Sequence, residues 1–308
     1  MVELTIVIPH KNRPKLLEKL LSTIPERSDI EVIIVDDGSD YKVVNFDEFP
    51  GKERTNTKII YSKESGGGGY ARNMALPHAK GVWLLFADSD DYFNKGFYDK
   101  ISKYLKESLD VIYFKANSTD LKTNELSDRT IGYNKFIDLA IKEGNYDYLR
   151  YQVAYPWAKL IKNDLISNNN IKFEEISNGN DVFFSLKVGE KGERFLAVDE
   201  VIYTVTSREE HALDVKSLDK YLVLYNTFYR KSIYLKKIGR GKFAYPNLVA
   251  FWVKIYRCKK SNAIKLLPKT IKVAGLIIVL RFIYKPVFFE FLADFKSNFP
   301  NIWDFLKN

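Results

Sequence analysis

Two acidic clusters, each closing an apolar run, constrain this chain more than any other feature. Val32-Ile33-Ile34-Val35 runs into Asp36-Asp37-Gly38-Ser39-Asp40, and Trp83-Leu84-Leu85-Phe86-Ala87 runs into Asp88-Ser89-Asp90-Asp91. Short runs of branched and aromatic residues read as strands buried on both faces. Acids that end such strands gather like charges at the carboxyl edge of a sheet, which is costly unless a cation or a hydrogen-bonding ligand offsets the repulsion. Open α/β sheets bind their ligands at that same edge. A metal–nucleotide site is the first reading.

Residues 1 to about 115 alternate strand and helix signals. Leu4–Ile8 is an expected strand, and Leu16, Leu17, Leu20, Leu21 and Ile24 mark an amphipathic helix. Strands follow at Val32–Val35, Lys58–Tyr61, Val82–Phe86 and Asp110–Phe114, with a helix over Tyr70–Ala79 opened by Gly66-Gly67-Gly68-Gly69. This order predicts a mostly parallel sheet flanked by helices. Further along, Lys135–Lys142, Asn163–Ser167 and Asp181–Val188 read as helices, and Tyr151–Tyr155 and Val201–Val205 as strands. From Asp219 onward the pattern is helical, with breaks at Gly239–Gly241, Pro246, Pro268, Pro286 and Pro300. We expect an α/β domain over residues 1–212 and a helical region over 213–308.

The charge is divided as sharply as the fold. Of 48 Lys and Arg residues, 16 lie between Lys220 and Phe289, where there is no Asp or Glu; the rest of the chain holds 32 basic against 39 acidic residues. The same stretch carries 14 aromatics, among them Tyr245, Phe251, Trp252, Tyr256 and Phe282. Basic helices with aromatic faces lie in membrane interfaces, so an anionic membrane surface is the expected partner. A helical domain with an aromatic core, or a homodimer packed on the aromatic surfaces, stands as the alternative. Nucleic acid is not expected, because no recognised module accompanies the charge. The longest strongly apolar stretch, Val273–Leu280, is far below the roughly 20 residues of a membrane span. A single cysteine, Cys258, and a start with no signal-peptide pattern predict a cytoplasmic protein, peripheral at the membrane.

The chemistry-bearing residues differ in how much they say. Three carboxylates within Asp88–Asp91 suit a hard cation such as Mn²⁺ or Mg²⁺, which binds carboxylate oxygens together with substrate phosphates. Asp36 and Asp37 can accept hydrogen bonds from a base or a ribose, or can simply be solvated at a strand exit. The glycines and Arg72 suit a diphosphate but lack the Gly-Lys-Ser/Thr of a P-loop. Asp181 stands where a helix begins, which fits an N-cap as well as a general base with Phe183 or Phe184 beside it. His211, just past the last strand, is either a third metal ligand or an exposed loop residue.

Together these segments resemble the family 2 glycosyltransferases of the GT-A fold, in the bacterial capsule and cell-surface polysaccharide branch. The resemblance rests on Thr5-Ile6-Val7-Ile8-Pro9-His10-Lys11-Asn12-Arg13, Val35-Asp36-Asp37-Gly38-Ser39, Ala71-Arg72-Asn73 and Phe86-Ala87-Asp88-Ser89-Asp90-Asp91. A looser stretch covers Pro156-Trp157-Ala158-Lys159-Leu160 and Asn180-Asp181-Val182-Phe183-Phe184, with Asn180 where the branch usually has Glu. The resemblance implies an inverting transfer from a nucleotide-sugar, expected to be a UDP-sugar, to a saccharide or polyprenyl-linked acceptor. It assigns Asp181 as base. Pro9, Asn12, Arg13, Asp36, Asp37, Arg72, Asp88 and Ser89 go to the nucleotide, and Asp91 and Trp157 to sugar or acceptor. Asp90, with Asp88 and His211, holds a divalent cation. Two rivals remain at this level: a haloacid-dehalogenase-like phosphatase with Asp88 as nucleophile, and a non-catalytic nucleotide-binding scaffold with a membrane-associating tail.

Overall fold

The computed structural model describes residues 1–207, 218–244 and 246–275. The chain divides into two compact units, Met1–Glu209 and Glu210–Asn308.

The first unit is built on one sheet of eight strands. In chain order these are β1 (Leu4–His10), β2 (Ile30–Asp36), β3 (Thr57–Tyr61), β4 (Trp83–Phe86), β5 (Tyr92–Phe93), β6 (Val111–Asp120), β7 (Lys159–Lys162) and β8 (Phe195–Ser207). The spatial order is β3-β2-β1-β4-β7-β6-β8-β5. The apolar runs fill the centre as their composition requires: Ile6, Val7, Ile8, Val32, Ile33, Ile34, Leu84, Leu85 and Phe86 are inaccessible to solvent. The helices of this unit are α1 (Pro14–Ser22), α2 (Gly67–Ala75), α3 (Phe97–Ser102), α4 (Ile131–Glu143), α5 (Asp147–Tyr151), α6 (Asn163–Asn168) and α7 (Asp181–Lys191). Pro14 starts α1, where its missing N–H costs nothing, and Leu17, Leu20 and Leu21 turn inward.

The sheet is mostly parallel, as expected, with its antiparallel pairs in the second half. β3, β2, β1 and β4 are mutually parallel, but β7 runs antiparallel to both β4 and β6, and β5 antiparallel to β8. The long β6–β8 pair is again parallel, with a register irregularity around Lys115. The sheet is therefore mixed. The strand expected at Tyr151–Tyr155 is instead the end of α5 followed by irregular chain. The aromatic and β-branched residues there favour a strand, but the Gln152 N–H closes a helical turn onto the Tyr148 carbonyl at 2.9 Å.

The second unit contains α8 (Leu218–Lys237), α9 (Pro246–Cys258) and α10 (Lys260–Ala274), with α9 packed against both α8 and α10. Pro268 does not end a helix; α10 runs through it. Several aromatics among the described residues lie in the interior of this unit. Tyr225, Trp252 and Tyr256 are buried, the Trp252 indole N–H donates to the Ala263 carbonyl at 2.8 Å, and the Phe228 and Phe251 rings stack at 5.3 Å. The described helices keep an exposed basic surface at Lys236, Lys237, Lys265, Lys269 and Lys272, while Tyr245 and Phe282, named for the expected aromatic face, lie outside the described residues. No helix among the described residues is long and apolar enough to cross a membrane.

Candidate active site

Because β1 lies between β2 and β4, the carboxyl ends of those three strands bring Pro9 and His10 between the two acidic clusters. The result is a cleft of about 450 Å³ lined by, among others, Pro9, Asn12, Arg13, Asp37, Arg72, Asp88, Ser89 and Asp90. Residues far apart in sequence are collected there by topology alone. A larger hollow, about 670 Å³, opens by Tyr146 and Phe195 at the opposite rim, where β6 and β8 begin. Its arginines are engaged: Arg150 donates to the Gly189 carbonyl at 2.8 Å and Arg194 pairs with Asp110 at 2.8 Å.

The acids of the first cluster have separate tasks. Asp36 is buried and accepts from His10 Nδ1 (2.8 Å), Ser39 N (2.9 Å) and Ser39 Oγ (2.5 Å). Burial alone would raise its pKa, but these bonds outweigh it and hold the carboxyl below the ordinary range. The Arg13 N–H donates to His10 Nε2 at 3.1 Å, which fixes the Nδ1–H tautomer facing Asp36. Asp36 therefore braces the β1 and β2 exits and does not line the cleft, a correction to its expected contact with the nucleotide. Asp37 does line it. Its carboxylate also accepts from Ser65 Oγ (2.9 Å), Gly66 N (2.7 Å) and Gly67 N (2.9 Å), anchoring the positive N-terminus of α2. Asn12 adopts a left-handed conformation (φ 54°), tolerable for asparagine, and ties to the same exit through Ser39 Oγ and the Asp40 N–H.

The second cluster divides likewise. Asp88 and Asp90 face the cleft, with side chains 37% and 25% exposed, and pair with Arg72 and Arg13 respectively. Asp91 points the other way. It accepts from the Tyr203 hydroxyl (2.9 Å) and the Thr206 N–H (2.7 Å), and burial, reinforced by Asp88 and Asp90, drives its pKa well above the carboxylate range. Asp91 is thus a buried brace beneath the loop and is not in the cleft lining, in contrast to its expected contact with sugar or acceptor. Trp157, expected at the sugar or acceptor, is buried, with its ring stacked on Tyr203 at 6.0 Å and Tyr155 at 4.7 Å. The ring that reaches solvent is Tyr155, 37% exposed, whose phenol is raised by burial and by the charge of Asp181. Sequence reasoning passed over Tyr155; its signal was an aromatic directly before Pro156-Trp157.

Tyr203 holds this loop from below, since its hydroxyl also accepts from the Asp88 N–H at 2.9 Å. Tyr203→Phe would leave two buried groups short of a partner. We expect a loss of about 1–3 kcal/mol, read as a fall in Tm of about 2–4 °C per kcal/mol in a calorimetric scan. An unchanged Tm would show that the hydroxyl is dispensable.

Arg72 joins the acidic rim to the start of α7. Its Nη2 meets Asp88, its Nη1 donates to Asn180 Oδ1 at 3.2 Å, and its guanidinium lies 5.2 Å from the Phe173 ring centre. The two helices approach closely: a Cβ on Gly69 would collide with the Glu174 carbonyl and stand 2.9 Å from the Asn180 Cβ. Asn73 locks the approach by exchanging bonds with the Phe173 backbone at 3.0 and 2.9 Å. Asp181, half-buried, follows Asn180 in the first turn of α7. Burial raises its pKa, with Asp88 adding to the effect and Arg72 and Lys159 opposing it. A carboxylate so placed is a stronger base than an exposed one.

Among the described residues no group of three His, Cys, Asp or Glu gathers to hold a metal. His211 lies outside the described residues. Two accessible carboxylates, Asp88 and Asp90, nonetheless fit a hard divalent cation that arrives with phosphate oxygens, since such ions take only one or two carboxylates in nucleotide sites. Arg72 Nε supports the fit: it is buried without a hydrogen-bond partner beside those acids, as expected where an anion completes the site.

A sheet wound in this order, with a helical extension, is the GT-A fold. The chain belongs to glycosyl transferase family 2, whose model matches residues 5–166. It is 28% identical over 221 residues to poly(ribitol-phosphate) beta-N-acetylglucosaminyltransferase TarS of Staphylococcus aureus strain MW2, a match covering 68% of this chain but only 37% of that relative. Among solved structures it is similar to S. aureus TarS 1–349 in complex with UDP-GlcNAc (TM-score 0.61, 21% identity, covering 89% of this chain and 80% of that one). It is also similar to the mannosyltransferase PcManGT of Pyrobaculum calidifontis in complex with GDP-Man and Mn²⁺ (TM-score 0.57, 17% identity, covering 92% and 81%).

Proposed function

We propose that this protein is an inverting glycosyltransferase that moves a sugar from a UDP-sugar to a hydroxyl of a cell-surface saccharide or a lipid-linked saccharide. The observation that supports the reading is the Arg72 bridge, which ties Asp88 on the cleft rim to Asn180, the residue before Asp181. Asp37 receives the base and Asp88 the ribose. Arg13 and Arg72, which pair with Asp90 and Asp88, offer their guanidiniums to the diphosphate. Asp88 and Asp90 would hold a divalent cation, Mn²⁺ or Mg²⁺, which when bound would offset the charge of the departing nucleotide. Asp181 takes the proton of the acceptor hydroxyl; that oxygen bonds to the anomeric carbon from the face opposite the diphosphate, the carbon–oxygen bond to phosphate breaks, and configuration inverts. Tyr155 offers the exposed ring against which an acceptor sugar can lie.

The acceptor named for the S. aureus relative, a ribitol-phosphate polymer, and the exposed lysines of α8 and α10 support an anionic acceptor or an anionic membrane face for the second unit. The test is a hydrolysis screen over UDP-, GDP- and dTDP-sugars with and without Mn²⁺. Release of UDP from one UDP-sugar, dependent on the cation, is expected. Turnover of simple phosphoesters with indifference to every nucleotide-sugar would favour the phosphatase reading, and tight UDP binding without turnover the scaffold.

A further inference from the structure

Lys11 directly follows β1, and it lines the cleft together with Asp37. Backbone pairing brings the two together, since the Asp37 N–H donates to the His10 carbonyl at 2.8 Å. The next residue pins the chain there: the Asn12 N–H donates to Ser39 Oγ at 2.8 Å, and Asn12 Oδ1 accepts from the Asp40 N–H at 2.7 Å. The Lys11 ammonium donates to Ser65 Oγ at 2.5 Å, and that hydroxyl donates to Asp37 Oδ2 at 2.9 Å. A cation and a carboxylate thus stand on either side of one serine hydroxyl. Ser65 takes one of the three N–H groups of the ammonium. The Asp37 carboxylate, with about four acceptor sites, takes three donors, from Ser65, Gly66 and Gly67. The two arginines of the cleft are engaged elsewhere, Arg13 with Asp90 and Arg72 with Asp88.

We propose that Lys11 is a specificity-determining residue: its ammonium donates to a ring carbonyl of the nucleobase while Asp37 accepts the neighbouring ring N–H, so the cleft takes a keto base and rejects an amino one. The inference rests on the reading, given above, that Asp37 receives the base. Uracil presents a ring N–H flanked by two carbonyl oxygens, which matches an acceptor beside a donor. Cytosine presents a bare ring nitrogen beside an amino group, the reverse pattern. Its amino group would meet the ammonium and its ring nitrogen the carboxylate, donor against donor and acceptor against acceptor. A site built to hydrogen-bond one group rejects an analogue that leaves its polar atoms unpaired. Arg13 and Arg72 stand with the acids assigned to the cation and diphosphate, and Lys11 stands with the acid assigned to the base.

The test is calorimetric titration of UDP and of CDP into the wild type and Lys11→Met, at saturating Mn²⁺. Lys11 is exposed, so the variant keeps the fold. The wild type is expected to bind UDP at least about tenfold more tightly than CDP. Lys11→Met is expected to lose about tenfold or more in UDP affinity, the effect of one hydrogen bond to a charged group. Its CDP affinity should equal that of the wild type or exceed it. An equal loss for both nucleotides overturns the inference and assigns Lys11 to the diphosphate they share. Unchanged UDP affinity in the variant overturns it as well. The underlying reading fails separately: if the wild type binds neither nucleotide, the cleft is not a nucleotide site, whatever Lys11 does.

Discussion

Asp181→Asn is expected to bind the donor with unchanged affinity and to lose turnover by about 10²–10⁴-fold, the contribution of a positioned general base. The substitution removes the proton acceptor and almost nothing else. Asparagine is also a good residue near a helix start, so α7 should survive it, and Arg72 keeps its bonds to Asn180 and Asp88. The wild-type profile carries a second signature. Burial raises the Asp181 pKa, and the ionised form is the active one, so kcat/KM should fall as pH drops through that raised value. The acidic limb should therefore sit above the range of an exposed aspartate and vanish from the residual activity of Asp181→Asn. Full activity in that variant would remove Asp181 from the mechanism.

Asp90→Asn is expected to act on a different step. Substitutions that merely disturb the orientation of metal ligands cost about 10–100-fold in affinity, so loss of a ligand itself should exceed the upper figure for Mn²⁺-dependent UDP binding. The fold should tolerate the change, because the Arg13–Asp90 pair is partly exposed and such pairs contribute little to stability. Calorimetric titration of UDP into the variant, at saturating Mn²⁺, measures it. Wild-type affinity in Asp90→Asn would leave the cation without its carboxylate.

Much of the first unit was legible in the chain because buried parallel strands announce themselves as apolar runs, and the acids follow at their ends. The runs at Ile6–Ile8, Val32–Val35 and Leu84–Phe86 are the centre of the sheet. What sequence could not supply was direction. Neighbouring acids look alike in a string, yet Asp37 faces the cleft while Asp36 faces His10, and Asp90 faces the cleft while Asp91 faces Tyr203. Pairings across about a hundred residues, such as Arg72 with Asn180, leave no local signal either. Trp157 illustrates the same limit: its motif suggested a ligand contact, and the stacking of Tyr203 and Tyr155 on its two sides made it a wall. In the second unit, composition alone did not separate an aromatic face from an aromatic core. The Trp252 indole bonded to the Ala263 carbonyl puts that ring between α9 and α10.

One titration bears on the whole account: UDP into the wild-type protein, in Mn²⁺ and again in EDTA. Acids held at one rim of the sheet for a cation-borne diphosphate predict strong binding in Mn²⁺ and a collapse of affinity in EDTA. Equal affinity in both would contradict the account, because Asp88 and Asp90 would then stand beside the diphosphate with no cation to reconcile them.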